Sequence, residues 1–160
     1  MKVLSDSEIR LITEPVIDAP KGPVNYRAFL QMCDLCVENK GIGLAAIQVG
    51  LPWRMFVVRN PDDTFDCFLN CEYTPEGEEK ELSVEGCLSL RTPDGDAYRS
   101  FEVSRHKIVR VIGQKLNADL TVIDIDIVLS GLYGVVMQHE IDHSHLIFIS
   151  DTGKEIHLYK

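Results

Sequence analysis

The sequence predicts a single α+β domain over residues 1–160, with mostly antiparallel strands packed around a central helix near the C-terminus. Three observations predict it. A chain of 160 residues without linker-like low-complexity sequence is long enough for one sizeable core and short for two. Strand-like segments follow one another between Trp53 and Leu129, and no internal repeat is visible. An apolar stripe at helical spacing comes after Ser130, and strands followed by a helix packed on one face fit the α+β class.

Taken in order, the first twenty residues, with Pro15 and Pro20, read as an extended arm. It leads to a helix over 24-VNYRAFLQMCDLCVENK-40, where Phe29, Met32, Cys33 and Cys36 recur as one apolar stripe. Lys40 and Gly41 stop it, a basic last turn followed by glycine. The segment 41-GIGLAAIQVG-50 is too glycine-rich for a helix and too apolar for a surface loop. Phe56, Val57 and Val58 after Trp53 indicate a strand, and 65-FDCFLN-70 another. The charged 74-TPEGEEKE-81 reads as a solvated turn or loop. After 85-EGCLS-89 a polar loop, 91-RTPDGDAYRS-100, leads to 101-FEVSRHKIVRVIG-113, whose β-branched alternation predicts a strand. Alternation in 120-LTVIDIDIVL-129 predicts one more, and Ser130 is placed to cap the final helix.

With 45% hydrophobic and 26% charged residues the composition is that of a soluble globular protein. Neither a bilayer-length apolar run nor a basic, apolar leader is visible, so a cytoplasmic protein without membrane contact is expected. The formal charge of −9 works against phosphate-dominated nucleic-acid binding and favours a small or peptidic partner. Five cysteines, an odd number in a chain with no mark of secretion, argue against a disulfide framework. Cys33 and Cys36 with Cys67 and Cys71 have zinc-like spacings, but the first pair belongs to an apolar helical stripe, where buried free cysteine is common.

The chemistry concentrates in 135-VVMQHEIDHSHL-146. Positions four apart on a helix differ by about 40° and about 6 Å along the axis, so His139 and His143 can share a metal ion. Glu140 projects about 100° from His139, beside such an ion without ligating it, where a proton acceptor for water belongs. The plainer reading is two histidines on an amphipathic helix. Against it, Leu132, Val135, Val136, His139 and His143 form one inward stripe, and two imidazoles on an apolar face need partners. His106 and His145 lie off the stripe and read as surface residues. A catalytic site needs a third ligand. Downstream of His143, Glu155 and His157 form no recognisable extended motif; upstream, Cys87 in 85-EGCLS-89 offers a thiolate beside a glycine.

The segments 41-GIGLAAIQ-48, 85-EGCLS-89 and 138-QHEIDH-143, in this order and at these separations, closely resemble the three motifs of the peptide deformylases. The likeness spans about residues 3 to 150 and is strong at the motifs. It implies removal of the N-formyl group from the initiator methionine of nascent polypeptides, with release of formate. Cys87, His139 and His143 would then be metal ligands and Glu140 the general base and acid. Gln48, through its side-chain amide, and Leu88, through its backbone N–H, would face the formyl oxygen. The ion implied is Fe²⁺, with Zn²⁺, Ni²⁺ or Co²⁺ as substitutes.

The glycines around Ile42 and Gly43 would let a peptide strand lie against the backbone. Ile42, Leu88, Val135 and Val136 would receive the methionine side chain, with plain core packing as the alternative for the two valines. Gln138 is expected to support the site, and Glu85, placed with the substrate-binding residues, to pair with Arg99 or Arg105. The partners implied are formylmethionyl nascent chains and, transiently, the ribosome surface; a monomer is expected. This sequence departs from the family pattern at Ile47, commonly proline, at Gly134 inside the helix, and in the longer loop 91–100. Many bacterial members continue into a long C-terminal helix, whereas this chain stops at Lys160. A minimal bacterial or phage form and an organelle enzyme without its transit peptide both fit.

Overall fold

In the computed structural model, which describes residues 1–157, the chain opens with a helical turn, α1 (Asp6–Ile9). Its ends explain why this stretch is not the extended arm expected. Glu8 N–H donates to Ser5 Oγ and Ser5 N–H to Glu8 Oε1, a reciprocal cap that S-x-x-E supplies. A short strand, β1 (Ile17–Asp18), follows, and then α2 (Pro23–Glu38), entered through Gly22 at φ +90° with Pro23 in its first turn. The stripe expected on α2 is present, with Met32 and Cys36 buried and Phe29 and Cys33 half-buried. The helix stops one residue earlier than the glycine suggested, since it is Lys40 that adopts φ +57°.

Strand β2 (Gly43–Ala45) runs into a 3₁₀ turn over Ala46–Val49, then come β3 (Trp53–Arg59) and β4 (Phe65–Pro75). The charged segment 74–81 read as a loop is half strand: β4 reaches Pro75 and β5 (Lys80–Glu85) begins after four intervening residues, so only 76–79 turn. The single strand expected over 101–113 is two, β6 (Ser100–His106) and β7 (Ile108–Leu116). Phe101, Val103, Val109 and Val111 are all buried odd-numbered positions, so the alternation runs through the break and the sequence hides it. Strand β8 (Val122–Ser130) meets α3 (Gly131–Ser144) as expected, although Ser130 occupies the cap position without a side-chain cap bond. The described chain ends with α4 (Ile149–Thr152) and β9 (Lys154–Ile156).

The strands form two sheets, antiparallel except where β1 joins β3. One has the order β1-β3-β4-β7-β8 with β2 also on β3; the other is β5-β6-β9. Two core layers flank β2 and β3. Ala45, Phe56 and Val58 pack with Met137 and Ile141 of α3, while Leu44, Met55 and Val57 pack with Ala28, Met32 and Cys36 of α2. Gly134 lets α3 fold back on β8: a Cβ there would stand 3.3 Å from the Leu129 carbonyl. That close approach is the compensation for a glycine inside a helix, which costs about 1 kcal/mol.

Candidate metal centre

Two elements bring the candidate ligands together. Cys87 follows β5 in a turn closed by Leu90 N–H donating to the Cys87 carbonyl at 3.0 Å, and it packs against Leu90, Phe101, Val103 and Ile149. His139 and His143 project from α3 with ring centroids 4.8 Å apart. Cys87 Sγ lies 3.5 Å from His143 Nε2, and one ligand atom from each of the three residues falls within 4.8 Å of the others. Tetrahedral ligation by sulfur and nitrogen places such atoms about 3.6 Å apart. All three residues are buried, and the set of two imidazoles and a thiolate suits a borderline divalent ion with a position left open. The residues present therefore fit a metal ion.

The surroundings fix these ligands. Glu85 Oε1 lies 2.8 Å from His139 Nδ1, which leaves Nε2 free to face inward. The same carboxylate takes two bonds from Arg105, at 2.7 and 2.8 Å. Arg105 also donates to Asp142 on α3 at 2.8 Å, and Tyr73 Oη donates to the other Asp142 oxygen at 2.7 Å. Burial opposes charge on Glu85, but Arg105 and then His139 hold its carboxyl down at about 2. His143 is held well below the usual imidazole range by burial and then by His139 and Arg105, which keeps it neutral as a ligand must be. Burial also opposes charge on His139, but Cys87 and Glu85 beside it push its pKa up to about 10; ligation would replace that proton.

Glu140 is buried, with Oε2 lacking a partner among the described residues. Burial, only partly offset by His139, pushes its carboxyl up to about 7. Gln48 is locked from the other side: its Oε1 accepts from Ala45 N–H at 2.9 Å, and its Nε2 donates to Ser89 Oγ at 3.0 Å and reaches Cys87 Sγ at 3.4 Å. A buried unpaired acid, a fixed amide donor and three convergent ligands thus share one centre.

A cavity of about 260 Å³ leads to it, lined by Ile42, Gly43, Gln48, Glu85, Cys87 and Leu88 and, from α3, Val135, Val136 and Glu140. Both walls are unpaired strand edges among the described residues, since β2 pairs only with β3 and β5 only with β6. Some expectations need correction. Leu132, placed in the inward stripe, is 69% exposed at the mouth because the stripe leaves the core there. The partner of Glu85 is Arg105, whereas Arg99 pairs with Glu155, which removes Glu155 as a ligand. The Glu85 carboxylate is consumed by Arg105 and His139, so what it can offer a ligand in the cleft is its backbone. His106 is half-buried beside Tyr73, not a surface residue, and Gln138 bonds both its backbone N–H and its carbonyl. His145 is exposed against Glu72. Sequence reasoning missed Ser89 and Asp142, which stand inside the motifs but at no ligand position, and Tyr73, which is far from them in the chain.

The family model for polypeptide deformylase matches residues 2–157. A peptide deformylase of Rhodopseudomonas palustris strain BisB18 is 34% identical over 159 residues, covering 95% of this chain and 84% of that protein. One of Zymomonas mobilis subsp. mobilis is 39% identical over 128 residues, 75% of this chain and 67% of its own. The crystal structure of a probable peptide deformylase from Synechococcus phage S-SSM7 superposes with a TM-score of 0.77 at 31% identity, covering 95% of this chain and 99% of that one.

Proposed function

The chain belongs to the peptide deformylase family, a hydrolase removing the N-formyl group from nascent peptides, and we propose that Cys87, His139 and His143 hold its metal ion while Glu140 moves the protons. The observation that carries this assignment is the unpartnered Glu140 Oε2 beside three convergent ligands at the floor of a cleft. When bound, the ion acidifies a water and polarises the formyl carbonyl. Glu140 takes the proton from the attacking water and gives it to the departing amine, so formate and a free methionyl amine result. Gln48 exchanges its long Nε2 contact with Cys87 Sγ for the formyl oxygen as charge builds there, keeping its bond to Ser89 Oγ, with the Leu88 backbone N–H as second donor. One such donor is worth about 3 kcal/mol of transition-state stabilisation.

The peptide main chain would lie between the edges of β2, at Ile42 and Gly43, and β5, at Glu85. Backbone pairing suits an enzyme that meets many sequences. The methionine side chain enters between Ile42, Leu88, Val135 and Val136. We read the working ion as Fe²⁺, the ion the family resemblance implies; two imidazoles and a thiolate accept Zn²⁺, Ni²⁺ and Co²⁺ as well. The whole chain acts as one catalytic domain and as a cytoplasmic monomer, meeting the ribosome surface only in passing, because a charge of −9 opposes lasting contact with RNA. The test is formate release from formyl-Met peptides by anaerobically purified protein, with metal content measured and acetyl-Met peptides as control. Formate from the formyl peptides with no freed methionyl amine from the acetyl peptides is expected; equal amine release from both, or no formate with one ion bound per chain, would overturn the reading.

A further inference from the structure

Loop 91–100 reaches the cleft through one residue. It is a closed hairpin: Arg91 and Tyr98 form an antiparallel bridge at its base, Thr92 N–H donates to the Ala97 carbonyl at 2.9 Å, and Gly95 turns the tip at φ +77°. Tyr98 is half-buried and lines the cleft. Its Oη donates to the Asn39 carbonyl at 3.1 Å and accepts from Arg91 Nη2 at 3.0 Å. The Arg91 guanidinium stands 4.7 Å from the ring centroid and is itself held by Asn39 Oδ1 at 2.6 Å. Asn39 caps α2 on the wall that carries β2, while Tyr98 Cβ is 3.8 Å from where a Gly86 Cβ would be, on the wall that carries β5. The tyrosine thus joins the two walls.

Alternation says which substrate residue would meet it. Successive side chains of an extended peptide point to opposite faces. The faces are defined at β2: Gly43 abuts Glu140 and Ala45 packs in the α3 layer, whereas Leu44 packs in the α2 layer. Of the methionine pocket, Val135 and Val136 belong to α3, while Leu88 reaches it from the α2 layer, in which Tyr98 also packs. A strand added to the free edge of β2 with its methionine on the α3 side therefore turns its next side chain to the α2 side, toward the ring.

We propose that Tyr98, positioned by Arg91 and Asn39, is a specificity-determining residue that contacts the second residue of the substrate and favours a large apolar or aromatic side chain there. The proposal rests on the deformylase reading of the cleft. A ring already fixed by two hydrogen bonds and a stacked guanidinium loses little freedom on contact, so its surface is preorganised. An aromatic pair adds to plain area burial, which amounts to about a fivefold to tenfold preference.

The experiment measures kcat and KM of the metal-loaded enzyme on formyl-Met-Phe-Ala and formyl-Met-Gly-Ala, with titration of the product Met-Phe-Ala as a binding readout. Wild type should prefer the phenylalanine peptide about fivefold to tenfold in kcat/KM. Tyr98→Ala should bring that ratio to within about twofold, mainly through KM, and weaken Met-Phe-Ala by a like factor. Tyr98→Phe keeps the ring and should keep the preference, and Arg91→Ala should fall between. A wild-type ratio near one overturns the proposal. So does an equal loss on both peptides in Tyr98→Ala, which would make the residue a general wall. If that variant does not fold, an unchanged ratio in Arg91→Ala decides against it. Absence of formate from either peptide with the metal-loaded wild type overturns the deformylase reading itself, and the subsite with it.

Discussion

Gly43 is glycine because Glu140 leaves no room for anything else. A Cβ on Gly43 would stand 2.6 Å from Glu140 Oε1, well inside contact distance, and the carboxylate would have to move. Gly43→Ala is therefore expected to keep the fold and one metal ion per chain while lowering kcat by about 10² or more, the scale of a misplaced proton-transfer group. Unchanged kcat in a folded, metal-loaded variant would remove Glu140 from its role. The same residue gives a pH signature in the metal-free protein. Its folded pKa of about 7 lies above the ordinary 4.5, so folding favours its protonated form. The stability it contributes is complete below about pH 4.5 and is lost as pH rises through 7. Against Glu140→Gln as reference, wild type should lose on the order of 3 kcal/mol between pH 4.5 and 8, read by urea denaturation. A flat difference would show that the carboxyl is not perturbed. At this scale the sequence was most legible where spacing is local: His139, Glu140 and His143 sit within one helical turn or so. The partner of Glu85 was not, because Arg105 is 20 residues away and Arg99 satisfied the same composition. Tyr98 was least legible, since what fixes it includes a carbonyl 59 residues upstream.

Arg105 shows what elements contribute beyond single side chains. From β6 it bonds Glu85 at the end of β5 and Asp142 on α3, and its own side chain is only 4% exposed. Removing it leaves the buried Glu85 and the half-buried Asp142 carboxylates without their shared cation, an arrangement that costs about 3–5 kcal/mol. Arg105→Ala is expected to lose that much in urea denaturation and, because Glu85 is then free to leave His139, to weaken metal affinity by about tenfold to a hundredfold. A loss below about 1 kcal/mol would mean that water replaces the guanidinium and that the cluster is not closed. The strand pattern around Arg105 was read with the right periodicity and the wrong partition. Alternation reports which face a side chain takes, and it continues unchanged from β6 into β7 although the two strands belong to different sheets. Strand β5 went unread for the opposite reason: Leu82 and Val84 alternate but point outward, exposed by 68% and 61%, directly after a run that charge alone made look solvated.

Across the whole molecule, the candidate centre joins parts that secondary structure leaves separate. The sheet β5-β6-β9 shares no strand with the larger sheet, and Cys87 leaves its β5 edge while both histidines come from α3, which packs chiefly on β2 and β3. Such a site cannot exist in the unfolded chain, so binding energy adds to folding energy as the ratio of free ion to dissociation constant grows. With the ion at about a thousand times its dissociation constant the gain is about 4 kcal/mol, which for a chain of this size is a rise in Tm of roughly 8–16 °C. Chelation under anaerobic conditions should lower Tm by that order, and re-addition of Fe²⁺, Zn²⁺ or Ni²⁺ should restore it. Hydrogen exchange should show the loss of protection concentrated in 85–90 and along α3, the segments the ion would tie together, and much less in the β4, β7 and β8 ladders, whose register does not involve it. Cys87→Ser, lacking the thiolate, should melt near the chelated value with or without metal, whereas Cys33→Ser and Cys67→Ser, at positions in the α2 core layer, should keep the full metal-dependent shift. A chelator effect of the same size in Cys87→Ser as in wild type would place the ion elsewhere and dissolve the link between the two sheets.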